Sequence, residues 1–299
     1  MDEFLLNLFN QTLTHPLLDG TMMGLTTAGL ALLPVLGIVL LFIPGQKRIG
    51  LAILTALILG TAITLLFQFV VMRPRPETVR LILSTPNFPA YPSGHAAAAF
   101  GVATVIGLSI RQWRWKITAV AVATLITFSR IYLGHHFPSD VFGGAVLGIA
   151  VGTACYGLIV LPRPDWRWLL WPQVAVVIII SQIAYMGLLP LHLMQWPLAD
   201  KIMHFLLFGA VVFWLNLWLR GRTVQLGIWG VPVAILVPLT IALLEEGAQS
   251  FSPIRSVDIF DLISDLAGML FFWGLSYKVF RSALAAPEIH WNEPSKSGS

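Results

Sequence analysis

Nine apolar stretches recur along this chain, near residues 21–43, 50–72, 95–110, 116–133, 140–160, 171–190, 202–219, 226–246 and 259–280. Each approaches the roughly 20 residues an α-helix needs to cross the hydrocarbon of a bilayer, although the third is short. The pattern predicts an all-α, polytopic membrane protein with about nine transmembrane helices. Residues 4–18 are apolar but too short to span, and Asn7, Asn10, Gln11 and His15 interrupt them. They are expected to form a helix lying in the interface. Composition agrees: 57% of residues are hydrophobic and 11% charged, against about 25% charged in soluble domains. The start, Met1-Asp2-Glu3, lacks the basic segment of a cleaved signal peptide, so the spans are expected to carry the insertion signal.

Lys and Arg in the connections set the expected orientation. With residue 1 outside, Lys47, Arg48, Arg111, Arg114, Lys116, Arg163, Arg167, Arg220 and Arg222 fall in inner loops. Lys278, Arg281 and Lys296 fall inside with the C-terminus, which makes twelve of the 18 basic residues. The expected location is a bacterial inner membrane, with the N-terminus outside and the C-terminus cytoplasmic. The other six, Arg73, Arg75, Arg80, Arg130, Lys201 and Arg255, fall on the outer side and need another reason. Four of them cluster with histidines in the sequence, and binding an anionic group supplies that reason. The alternative is that they are headgroup anchors that snorkel to the interface. No basic stripe points to nucleic acid. The single cysteine, Cys155, lies in an apolar run and cannot form an intrachain disulfide. Residues 161–170, with two prolines, mark a boundary between domains at 1–165 and 166–283; residues 284–299 read as a disordered cytoplasmic tail.

The chemistry of the first half centres on Pro92-Ser93-Gly94-His95, a polar turn that opens onto an apolar run. A helix starting there aims unpaired backbone N–H groups, including those of Gly94 and His95, at one point, which suits an anion. Downstream, Ser129-Arg130 is followed by His136 and Asp140. At a spacing of four residues a carboxylate can hold one imidazole nitrogen and leave the other nucleophilic. Arg130 can fork two phosphate oxygens, and Arg75 can add a second guanidinium. His136 can attack phosphorus while His95 protonates the leaving oxygen. Nothing in this set calls for a metal or cofactor.

These residues resemble the type-2 phosphatidic-acid phosphatase superfamily of membrane lipid phosphatases. That family has three blocks: Lys, six residues and Arg-Pro; Pro-Ser-Gly-His; and Ser-Arg, five residues, His, three residues, Asp. The second and third blocks match fully here, at 92–95 and at Ser129, Arg130, His136 and Asp140. The first matches at Arg75-Pro76, but Gln68 stands at the Lys position, which keeps a donor and loses a charge. Arg73 and Arg80 are near enough in sequence to make up that charge. The resemblance implies that His136 is the nucleophile forming a phosphohistidine and that Asp140 orients it. It implies that His95 is the acid and then the base, and that Arg75, Ser93, Gly94, Arg130 and Gln68 bind phosphate. No role is expected for His135.

The second half carries another polar pattern. Asp200, Lys201 and His204 precede one apolar run; Glu246 and Gln249 end another; Arg255, Asp258, Asp261 and Asp265 follow. Residues 258, 261, 265 and 268 share one helical face, and carboxylates there demand cationic partners. Asp200-Lys201-x-x-His204-Phe205, Glu246-x-x-Gln249, Arg255, Asp261 and Gly268 resemble the VanZ-like family, with Asp265 where Asn is expected. The resemblance implies a role at the cell envelope and no reaction; a structural polar network is the competing reading.

The expected function is removal of a terminal phosphate from a membrane lipid phosphate or diphosphate at the outer face. Phosphatidic acid, phosphatidylglycerol phosphate and undecaprenyl diphosphate are compatible substrates. The alternative is a catalytically impaired phospholipid-binding or translocating protein of the envelope. A vanadate haloperoxidase, which shares the superfamily site, is disfavoured by the number of spans.

Overall fold

The computed structural model describes residues 1–85, 87–189, 198–249 and 258–285, with side chains to residue 279. Among these, each of the nine apolar stretches holds a helix. A short helix α1 (Asp2–Asn7) runs into a π-helical turn (Leu8–Thr12). Then come α2 (Pro16–Phe42), α3 (Lys47–Val71), α4 (Gly94–Ser109), α5 (Trp113–Tyr132), α6 (Pro138–Cys155) and α7 (Leu170–Tyr185). Helices α8 (Ala199–Trp218), α9 (Val233–Gln249) and α10 (Ile259–Ala285) complete the chain. Six helical segments, Pro16–Phe42, Lys47–Val71, Pro138–Val160, Trp166–Tyr185, Ala199–Trp218 and Ile259–Val279, are long and apolar enough to cross a membrane. The protein is an integral membrane protein.

Two compact units are present. The first holds Met1–Asp200 with 247–249, and the second holds Lys201–Glu246 and the described residues from Asp258. In the first, α4 is ringed by α2, α3, α5 and α6. Its 16 residues rise only about 24 Å, so it is short for a lipid-facing span. Enclosure by neighbouring helices explains why the third apolar stretch needs no extension. Its tightest partner is α6. Gly144, Gly148 and Gly152 recur every fourth residue of α6, and an added Cβ at each would run into the backbone oxygen of Ser93, Ala97 or Gly101. Small residues on both faces let the two backbones touch. Gly148→Ala is expected to destabilise the fold by about 1–3 kcal/mol, measured as a lower melting temperature in detergent.

Between α3 and α4 the described residues from Arg73 to Ser93 form no helix. The N-terminal segment fastens this loop. Asn10 is fully buried; its amide donates to the carbonyls of Arg80 (3.0 Å) and Tyr132 (2.8 Å), and its Oδ1 accepts the Arg80 N–H (2.8 Å). Arg80 then forks onto Asp19 at 2.9 and 3.0 Å. Helix α7 lies past the two prolines at 162 and 164 and packs on α6 within this first unit.

In the second unit, α8, α9 and α10 enclose Val212, Ala234, Ile235, Ala242 and Met269. The stretch expected to be helical from 226 instead starts as a hairpin, β1 (Thr223–Leu226) against antiparallel β2 (Trp229–Pro232). Gly227 takes a positive φ in its two-residue turn, and β2 runs on to Pro232, so α9 starts only at Val233. The expected tail from 284 begins within α10, and residues from 286 lie outside the described residues.

Candidate active site

Four local decisions build the site. Helix α3 ends at Met72 in a left-handed conformation, just before Arg73-Pro74-Arg75-Pro76. Helix α4 starts at Gly94 with Ser93 as its extended N-cap residue, so the first amides of the helix face outward. Helix α5 ends two residues after Arg130, and Gly134 takes a positive φ that turns the chain back. Helix α6 starts at Pro138, and the Asp140 carboxylate caps it by accepting the Phe137 N–H at 2.9 Å. The Ser93 N–H donates to the Asp140 carbonyl at 2.9 Å, which joins two of these ends.

His136 sits among them, 2% exposed. Its Nδ1 lies 3.6 Å from Asp140 Oδ2, inside ion-pair range and longer than a hydrogen bond. Its Nε2 lies 3.3 Å from Arg75 NH1. Asp140 therefore stands behind one nitrogen while the other faces a guanidinium. Burial is the largest influence on His136 and holds its pKa below the ordinary histidine value, against the pull of Asp140. Arg75 is braced by the carbonyls of Phe88 and His135, both at 2.8 Å. His95 lies within electrostatic reach of Arg130, His135 and His136.

Arg130 is 4% exposed, and among the described residues its hydrogen bonds go to no carboxylate. Its NH1 donates to Thr26 Oγ1 at 2.5 Å, and its NH2 bonds His135 Nδ1. The other His135 nitrogen, Nε2, meets the Leu83 carbonyl at 3.0 Å. Burial, then the Arg130 charge, pushes His135 down to about 4. Its ring is thus neutral at neutral pH, donating from Nε2 and accepting at Nδ1. Ser93 Oγ, Thr64 Oγ1 and Arg130 Nε are buried without a hydrogen-bond partner among the described residues. A tetrahedral oxyanion offers acceptors to all three kinds of donor, and unsatisfied buried polar groups cost about 1–3 kcal/mol each.

The unit thus brings together Arg75, Ser93, Gly94, His95, Arg130, His136 and Asp140. Gln68 is buried one turn below the end of α3, and its amide donates to the Pro92 carbonyl at 3.2 Å. The other two outer arginines of the first half are committed elsewhere, against expectation. Arg73 donates to Asp140 Oδ1 at 2.5 Å and to Asp2 at 2.9 Å, and lies 4.4 Å over the Phe137 ring. Arg80 is spent on Asp19. Neither makes up the charge absent at Gln68. Thr26, Thr64 and His135 are the residues that sequence reasoning left out; no local pattern marks the threonines, and His135 was adjacent to a motif that did not need it.

Of the expected second-half cluster, the residues from Lys201 to Glu246 and from Asp258 on lie in the second unit and assemble in part; Asp200 and Gln249 fall in the first. Lys201 bonds Asp258 at 2.5 Å and also Asp261. His204 Nδ1 lies 3.0 Å from Asp265 and its Nε2 lies 3.8 Å from Asp261. Glu246 accepts the Asp258 N–H at 2.5 Å. Asp200 is the second residue of α8 and Gln249 the last of α9; Arg255 lies outside the described residues.

Two family models match the chain. The PAP2 superfamily model matches residues 49–164, and the VanZ/LLP1 model matches residues 149–281. An undecaprenyl-diphosphatase of Sulfolobus acidocaldarius is 30% identical over 146 residues, covering 47% of this chain and 68% of that protein. Undecaprenyl-diphosphatase BcrC of Bacillus subtilis is 32% identical over 110 residues, covering 36% of this chain and 56% of that protein. Among solved structures, LpxE of Aquifex aeolicus is 33% identical with a TM-score of 0.44, covering 52% of this chain and 93% of that one.

Proposed function

Given that this chain belongs to the PAP2 superfamily and is a membrane lipid phosphatase, we propose that it releases the terminal phosphate of a lipid diphosphate through a phosphohistidine on His136. One observation carries this reading: His136 presents Nε2 beside Arg75 while Asp140 stands behind Nδ1. The neutral Nε2 attacks phosphorus and the bond to the lipid-side oxygen breaks, with His95 supplying a proton to that oxygen. His95 then takes a proton from water, which attacks the phosphohistidine and frees His136 and inorganic phosphate. Arg75, Arg130, Ser93 and the first amides of α4 hold the charge that builds on the phosphoryl oxygens. Gln68 contributes a neutral donor. The reaction as written uses no metal.

A polyprenyl diphosphate is the favoured substrate, because two of the similar proteins above are undecaprenyl-diphosphatases. An apolar cavity of about 390 Å³ supports a hydrocarbon chain below the site. Ala99 and Ile126 in its lining lie one helical turn from His95 and Arg130. The Lys and Arg distribution supports a site on the outer face with a cytoplasmic C-terminus. Residues 1–165 would form the phosphatase domain and 166–283 the VanZ-like domain, with α7 of the latter packed into the first unit. Phosphate release by the purified chain from undecaprenyl diphosphate, phosphatidic acid and phosphatidylglycerol phosphate tests the assignment. Binding of all three without turnover would favour the phospholipid-binding alternative.

Burial sets a pH expectation. Because it disfavours the imidazolium, the native pKa of His136 lies below the reference of about 6.5. The ring stays neutral, and able to attack, as pH falls through 6.5, and charges only further down. ¹⁵N chemical shifts of His136 should keep neutral-ring values at pH 6.5, where an exposed histidine is half protonated.

A further inference from the structure

Gln182 lies on α7, beyond residue 164, where the PAP2 match ends. Its Nε2 donates to the Ser139 carbonyl at 2.7 Å, and its Oε1 accepts the Tyr91 hydroxyl at 2.9 Å. Tyr91 is fully buried and directly precedes Pro92-Ser93-Gly94-His95. Ser139 directly precedes Asp140. A single carboxamide therefore ties the strand of chain that delivers His95 to the helix start that delivers Asp140. The tie is backed on the far side: an added Cβ at Gly143 would meet the Tyr91 hydroxyl at 2.6 Å, so α6 leaves this phenol little room. One turn along α7, Met186 Sδ lies 3.6 Å from Arg73 NH1, the guanidinium bound to Asp140.

We propose that Gln182 is a positioning residue of the phosphatase site, fixing His95 relative to the His136–Asp140 pair, and that the site is incomplete without α7. This rests on the phosphatase reading above. A carboxamide suits the task because it gives one donor and one acceptor in a rigid plane. Leucine in its place leaves a buried hydroxyl and a backbone carbonyl without partners, and both can then drift. Phosphate is gripped by Arg75 and Arg130, whose own partners do not include α7. Drift should therefore slow the chemical step and spare binding. Misplacement by about 1 Å is enough to cost roughly 100-fold in rate.

The test uses the full chain and phosphate release from undecaprenyl diphosphate, phosphatidic acid and phosphatidylglycerol phosphate. Gln182→Leu is expected to lower kcat about 10- to 100-fold with KM within about threefold, because only transition-state geometry is lost. Tyr91→Phe, which deletes one oxygen, should lower kcat in the same sense. The double variant should be no slower than Gln182→Leu alone, since both remove one shared tie. Should Gln182→Leu fail to fold, Tyr91→Phe decides the matter alone. A kcat within about twofold of wild type in a folded variant, or a loss confined to KM, overturns the proposal while leaving the phosphatase reading intact. Wild-type protein that releases no phosphate from any of the three lipids overturns both.

Discussion

Replacing His136 with alanine is expected to lower kcat by about 10⁴-fold or more, because the variant has no group that can accept the phosphoryl. The adjacent His135 is not placed to substitute: both its nitrogens are engaged, by Arg130 and by the Leu83 carbonyl. Phosphate binding should survive, since Arg75 and Arg130 remain. The intermediate gives a second readout. Wild type quenched in base during turnover of a ³²P-labelled lipid should carry acid-labile label, and His136→Ala should carry none. Phosphate release at the wild-type rate from the variant would remove His136 from the mechanism.

Asp140→Asn should do the next greatest damage, on two accounts. Asp140 is fully buried, and its oxygens serve Arg73, the Phe137 N–H and His136 together. Neutralising it leaves the Arg73 guanidinium, itself only 12% exposed, with Asp2 as its remaining carboxylate. Breaking a buried pair by removing one partner costs about 3–5 kcal/mol; the surviving Asp2 contact places this case at the lower end. Catalysis should fall about 10³–10⁴-fold, because an amide can neither fix the imidazole with Nδ1 protonated nor stabilise positive charge on it. Arg73→Gln separates the effects: it should destabilise comparably but keep the Asp140–His136 pairing and lose less activity. Asp140→Asn retaining a tenth or more of wild-type kcat would show that the carboxylate serves the fold alone.

The parts legible in the sequence were those written in contiguous runs. Apolar length gave the helices, and three short blocks gave the histidines, Asp140, Arg75 and Arg130. What stayed hidden depends on which helices become neighbours. Thr26 on α2 supports Arg130 from 104 positions away, and no periodicity marks it. Arg73 and Arg80 looked available for an anion because their carboxylates, Asp140 with Asp2 and Asp19, sit elsewhere in the chain. The hairpin at 223–232 was absorbed into an apolar stretch because hydropathy alone does not distinguish a short strand from a helix. Gly227, at the two-residue turn, was the available signal.

The knot around Asn10 bears on how the catalytic loop is kept in place. Nature often cross-links a long irregular segment with a disulfide, which ties its order to an oxidising surrounding. Here one amide side chain, gripping Arg80 and Tyr132, acts as a non-covalent rivet between the N-terminal segment and the loop that bears Arg75. Such a rivet is indifferent to thiols and glutathione. The same fastening holds on either side of the membrane, and a change of redox state leaves it untouched.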